Sequence, residues 1–277
     1  MTLAYGEATA GQSIGRAVGS SALKTAAVIW FFAAVIGQWI FAVYILGHYG
    51  ASSAIGNFEP LLKRFHNGDT AGNAMLAVHL AFAFIVTVGG PLQLVPQIRT
   101  HAPRFHHWNG RLFLLTTVAA SAAGLYMVWT RGVPGGFSNH FAFTLNALLV
   151  FYFAALTVRY AMARDIDTHR RWALRLFMAA NGVWFFRVGL MAWFIVNHGP
   201  LGNTKTLDGP FDVIWAYGCY LLPLAVLELY LRARDRAGPF GKIAAAGVVV
   251  GFAGLMGLGI FGAASFMWLP RMAPWAL

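Results

Sequence analysis

Seven apolar stretches divide the chain, at about 24–47, 73–95, 108–130, 138–162, 171–196, 212–232 and 242–268. Each is long enough to cross a hydrocarbon core, which takes about 20 helical residues. They are apolar on every side and lack the alternation of a membrane β-strand, so the pattern predicts an all-α, polytopic membrane protein of about seven transmembrane helices. The first stretch is too long for the core of a signal peptide and no small-residue cleavage pattern follows it, so it reads as a retained span. Residues 1–23, rich in Gly, Ala and Ser, read as a flexible N-terminal tail, and 24–277 as a single transmembrane domain.

Composition agrees with the lipid bilayer as the chain's main partner. With 58% hydrophobic and 10% charged residues, there is too little polar surface to cover a soluble globule of 277 residues. The single Cys219 excludes an internal disulfide and any cysteine-based cluster or zinc site. No nucleotide-binding loop is present. The net charge of +11 raises the question of nucleic acid, but its distribution answers it. With the N-terminus cytoplasmic, fourteen Lys and Arg fall on the inner side and five on the outer, a positive-inside bias to which every inner loop contributes. That predicts an N-in, C-out topology in a bacterial cytoplasmic membrane, and no nucleic-acid partner. Trp108 with Trp129, and Trp172 with Trp193, sit near opposite ends of the third and fifth spans, where interfacial rings belong.

Within this frame one phrase occurs twice. "RFHHWNGRLF" opens the third span and "DTHRRWALRLF" the fifth, each with a His, then a Trp, then Arg-Leu-Phe at one offset. His79 to His140 is 61 residues, His106 to His169 is 63 and Trp108 to Trp172 is 64. An offset of two helices restores the chain's direction, so this is a parallel repeat of a helix pair, and spans two to five are expected to form a four-helix core. Each half then presents one outer histidine, His79 or His140, and one inner histidine, His106 or His107 in the first half and His169 in the second.

Paired imidazoles on facing helices are what a six-coordinate haem iron requires, and bundle cores are where such sites are built. The pattern therefore predicts one or two b-type haems, with His79 and His140 as the outer ligands and His106 or His107 with His169 as the inner ones. Arg104, Arg111 and Arg175 lie near the inner histidines as partners for propionates. Interfacial anchoring is the plain alternative for His106, His107 and His169, since His, Trp and Arg all snorkel. His79 lies deeper in its helix, where polar groups are partnered or functional. His48, His66, His101 and His198 read as loop or interface residues.

"HHWNGRLF" and "HRRWALRLF", with "GGPLQLVPQIR" before the first, resemble a family of bacterial multi-pass membrane proteins catalogued as a domain of unknown function. The resemblance covers spans two to six. It implies a His-Arg-Trp type phrase before the third span, which favours His106 over His107 and puts His107 in a slot where arginine is usual. It implies a fold and no activity. The histidine layout is similar to that of the diheme b-type transmembrane cytochromes of the ascorbate-reducible kind. That likeness implies transmembrane electron transfer, with a quinone, a ferric chelate or a redox protein as donor or acceptor.

Two rival readings rest on other residues. Arg187, near the middle of the fifth span, needs a cavity, a protein acceptor or an anion, because a charge there costs at least about 2.5 kcal/mol. Asn181, Asn146 and Gln38 are its candidate neighbours. A haem propionate, a carboxylate substrate or a lipid headgroup would supply the anion, and a binding or transport protein for a small anion would use Arg187 with His79 in this way. Against transport, the repeat is parallel and no span is broken by proline at its midpoint. The other rival is a metal-dependent membrane enzyme using His106, His107, His169 and Asp165 or Asp167 at the inner surface. Glu228 is expected to reach Arg232, four residues on. Gly247, Gly251, Gly254, Gly257, Gly259 and Gly262 give the seventh span a close-packing face, within the chain or in a homo-oligomer.

The topology is directly measurable. Alkaline phosphatase fused after Leu277 is expected to be active in cells and a fluorescent protein fused there dark; the opposite pair of results would invert the assignment.

Overall fold

The computed structural model of the chain describes residues 2–51 and 64–272, and their regular structure is entirely helical. Helix α1, Thr2–Ile45, runs into a π-helical turn at Leu46–Ala51. After the connection come α2, Thr70–Leu94; the short α3, Pro96–His101; α4, Pro103–Arg131; and α5, Gly136–Met162. The chain continues through α6, Ile166–Ala180; α7, Gly182–Val196; α8, Pro210–Arg236; and α9, Pro239–Gly262. The last helix extends through a π-helical turn, Ala263–Trp268, into a 3-10 turn at Leu269–Arg271. Six helices are long and apolar enough to cross a membrane, and α6 with α7 makes a seventh span bent by 57°.

Local chemistry sets the ends. Proline opens α3, α4, α8 and α9, where its missing N–H costs nothing. Asp69 caps α2, accepting from the Gly72 amide at 2.8 Å, and Asp165 caps α6, accepting from Thr168 at 3.1 Å. Asp69 also takes Arg131 Nε at 2.7 Å, which ties the start of α2 to the end of α4. The Gly72 amide and this guanidinium hold the Asp69 carboxyl below the usual carboxylate range. Helix α1 begins upstream of the expected first span: Leu23 and Ala26 pack with Ala245, Ala246 and Val249 of α9, and Lys242 donates to the Ser20 hydroxyl at 3.0 Å.

The spans form a ring with one of them inside it. Helix α1 packs on α2 and α9, α2 on α4, α4 on α5, α5 on α8, and α8 on α9. The bent span fills the middle, α6 against α5 and α8, and α7 against α8 and α9. Its buried residues run from Leu176 to Ala179 and on through Trp184, Phe185, Val188 and Met191. The outer helices keep apolar faces exposed, among them Leu115, Phe137, Leu148, Ile214 and Phe261, as lipid contact requires. The core thus draws on all seven spans rather than on spans two to five alone.

The repeated phrase has a packing role at this centre. Phe113 and Phe177, the last residues of the two Arg-Leu-Phe segments, stack on each other with centroids 6.5 Å apart. Trp30 meets the Phe177 edge at 6.4 Å, and a Cβ on Gly90 would stand 3.0–3.1 Å from both phenylalanine rings. Four spans therefore converge on Phe177. In each copy of the phrase the arginine lies over the tryptophan three residues earlier, Arg111 over Trp108 at 5.2 Å and Arg175 over Trp172 at 4.5 Å.

The seventh span's glycines divide into two sets. A Cβ at Gly259 would stand 2.0 Å from the Val188 carbonyl oxygen, and one at Gly262 would stand 2.8 Å from Ile195, so these two let α9 approach α7. Gly247, Gly251, Gly254 and Gly257 meet no heavy atom within 4 Å.

Phe177→Ala is expected to cost about 3–5 kcal/mol of stability, because a core ring leaves a cavity. Trp108→Ala, at an exposed ring, should cost about 1 kcal/mol or less. Gly259→Leu should prevent the native packing outright. Thermal or denaturant unfolding in detergent checks all three.

Candidate functional site

The candidate residues lie at two levels, one near the Glu228 end of the bundle and one near the Asp69 end. At the Glu228 end, α4 and α6 begin with the repeated phrase and bring His106 within electrostatic reach of His169. His169 Nδ1 lies 2.9 Å from the Thr157 carbonyl oxygen on α5. A carbonyl only accepts, so Nδ1 carries the proton and, in the neutral ring, Nε2 keeps its lone pair. His106 Nδ1 is buried without a partner, and its backbone carbonyl accepts from Gln93 Nε2 at 3.3 Å. The His107 ring stands 6.1 Å from that of His106, on an exposed residue. Of the two adjacent histidines, His106 is the less exposed and lies within electrostatic reach of His169.

Two of the arginines at this end are held in ion pairs across helices. Arg175 Nε donates to Glu228 Oε1 at 2.6 Å, so Glu228 pairs across helices and not with Arg232 along its own. Burial explains the choice: Arg175 is largely enclosed between α6 and α8, where its charge needs a partner. Arg111 lies on the Trp108 face, and Arg104 is exposed. Arg171 pairs with Asp235 at 2.6 Å on the surface beside them.

At the Asp69 end, His79 Nδ1 donates to the Ala120 carbonyl oxygen at 2.9 Å, across from α2 to α4. The missing side chain of Gly124 makes room for its ring, 3.4 Å from the Cβ position. His140 Nδ1 bonds within its own helix, to the Gly136 carbonyl oxygen at 2.9 Å, and its ring stands 5.7 Å from Trp129. Gly124 and Trp129 are five residues apart, which places them about 140° apart around α4 and about 8 Å apart along it. His79 and His140 thus meet α4 on different sides and at different heights.

The break between α6 and α7 is made without proline. The Asn181 side-chain amide donates to the Phe177 carbonyl oxygen at 2.8 Å, and Phe185 N–H returns to the Asn181 carbonyl oxygen at 2.9 Å. A Cβ at Gly182 would stand 2.8 Å from Asn146 Nδ2 and 3.4 Å from Tyr220 Cβ, so α5 and α8 close on the bend. Pro91 and Pro223, by contrast, lie inside unbroken helices.

Arg187 follows the bend on α7. Its Nη1 donates to the Val183 carbonyl oxygen at 3.1 Å, one turn back, and its guanidinium lies 5.4 Å over the Phe41 ring. Asn181, Asn146 and Gln38 are not its hydrogen-bond partners; Gln38 and Asn146 instead hold buried polar atoms with no partner of their own. Arg187 opens onto a cavity of about 290 Å³ that it shares with Asn139, Phe143, Phe186, Leu190 and Leu207. Asn139, 1% exposed, donates its amide to the Pro134 and Leu207 carbonyls at 2.8 and 3.3 Å and leaves Oδ1 unpaired. Sequence reasoning did not single out Asn139; a polar residue beside His140 at the head of an apolar span was the available signal. Among the described residues no three His, Cys, Asp or Glu side chains gather as a metal site, so His106, His107, His169, Asp165 and Asp167 do not form one cluster.

Residues 76–231, more than half of the chain, match the model of a family described as Predicted membrane protein (DUF2306). No curated protein and no solved structure matches the chain.

The Arg175–Glu228 pair makes a stability prediction. Arg175→Met strands a partly buried carboxylate and should destabilise by about 1–3 kcal/mol. Adding Glu228→Gln to it should recover a large part of that loss, as read by a double-mutant cycle on unfolding in detergent.

Proposed function

The chain belongs to that family of membrane proteins, and from this premise we propose that it is a b-type cytochrome-like protein of a bacterial cytoplasmic membrane, moving electrons through haem held by His106 and His169. The observation that carries the reading is the placement of these two histidines at the heads of α4 and α6, within electrostatic reach of each other, with His169 Nδ1 bound to the Thr157 carbonyl oxygen. Metal-ligating histidines characteristically donate their second ring N–H to such an acceptor, which orients the ring and leaves Nε2 for the metal. His106 complements it, with a ring nitrogen still unpaired in a buried setting. Haem, when bound, would supply the one-electron chemistry. The chain's own part is to present two imidazoles beside an apolar core that includes Phe113, Phe177 and Trp172.

The inner layer is better suited to this than the outer one, because His79 and His140 meet α4 on different sides. One haem per chain is therefore the reading, with a quinone, a ferric chelate or a redox protein as exchange partner. With Arg175 committed to Glu228, Arg104 and Arg111 would serve the propionates, and Arg99 lies within electrostatic reach of His106 as well.

The test is a reduced-minus-oxidised optical spectrum of detergent-purified protein expressed with haem supply. A b-type signal near one haem per chain is expected, abolished by His106→Ala and by His169→Ala and kept by His107→Ala. A colourless protein that takes up no added haem would overturn the proposal.

A further inference from the structure

A second site lies in the opposite half of the bundle, and it stands apart from the haem reading. Arg187 is nine residues from the end of α7, about 14 Å along the helix, so its charge lies well inside the span. A guanidinium there demands an anion or several strong acceptors. It has one acceptor, the carbonyl of Val183 on its own helix, and the face of Phe41.

No carboxylate of the described residues answers it. At this end Asp69 is held by Arg131 and Gly72. Asp208 is held by Thr204 and Thr206, and Asp212 by Asn203, Thr204 and Gly209. The other charges within electrostatic reach of Arg187 include Arg64 and Arg271, which add to the positive potential. Tyr44 and Tyr49 also lie within that reach.

The cavity beside Arg187 defines what would fit. Its volume of about 290 Å³ is at the small end of ligand pockets. Phe143, Phe186, Leu190 and Leu207 make most of its wall apolar, which disfavours a hydrated inorganic anion. Asn139, more than nine-tenths buried, adds an amide to that wall with its Oδ1 unpaired. We propose that this cavity binds a small amphiphilic oxyanion, its charged group on Arg187 and its apolar body against Phe143 and Phe186.

The same chemistry has two sources, a free short organic carboxylate or the anionic headgroup of a membrane lipid. Both are tested on haem-free, detergent-purified full-length chain, so the outcome is independent of haem binding. Benzoate is expected to raise the melting temperature of the wild type by several degrees, and benzamide, its neutral near-isostere, to leave it unchanged. Arg187→Gln should weaken the apparent affinity for benzoate about tenfold or more, the value of a charge-assisted hydrogen bond. Asn139→Leu keeps the charge and fills the cavity, and should also abolish the shift; it serves as the check if Arg187→Gln does not fold. Native mass spectra decide the source. An anionic phospholipid retained on the wild type and absent from Arg187→Gln identifies a lipid headgroup as occupant, and a benzoate response without retained lipid identifies a free carboxylate. Equal benzoate shifts in wild type and both variants, or neither a shift nor a retained lipid in the wild type, would overturn the proposal.

Discussion

Inside a bilayer the backbone has no water to bond, so every N–H and C=O must find its partner within the protein. The whole structure follows from how the chain meets this demand at one place, the bend between α6 and α7. A break facing lipid would leave backbone groups stranded, so the broken span must be enclosed. Asn181 bonds back to Phe177 through its side chain, and α5 and α8 seal the bend from either side. The ring of six straight spans around one bent span is the result.

Enclosing that span gives the repeat its meaning. Phe113 and Phe177 are related by the same offset that relates Trp108 to Trp172, and they meet face to face at the centre. Arg111 and Arg175 repeat the same contact with their tryptophans at the membrane surface. The two copies are thus alike where they pack and unlike where they carry polar groups. Arg175 has gained Glu228, and His79 bonds a neighbouring helix where His140 bonds its own. Divergence of this kind leaves the two ends of the bundle with different chemistry, His106, His107 and His169 at one and a guanidinium with its cavity at the other.

Ion pairing separates these two ends further. The described acids near the Glu228 end neutralise Arg170, Arg171, Arg175 and Arg234 on or near the surface, where desolvation is partial and pairing cheap. Arg187 stands in a stretch where no acid occurs in sequence within nineteen residues on either side, Asp167 and Asp208 being the nearest. Its guanidinium has no carboxylate partner among the described residues.

The sequence by itself determined the fold class and the number of spans, because a run of some 20 apolar residues admits one solution in lipid, a helix. The repeat was legible there as well. Tertiary structure alone decided the rest. Whether Glu228 pairs with Arg232 or Arg175 depends on which helix lies alongside α8, and that contact is 53 residues away in the chain. The bend was hidden because it uses Asn-Gly rather than proline, and a side chain bonding back to the preceding turn has no distinctive periodicity. The separation of His79 from His140 and the cavity at Arg187 depend on rotations about helix axes, which apolar runs uniform on all faces leave unspecified and which contacts between helices, such as those of Phe177 and Gly259, set.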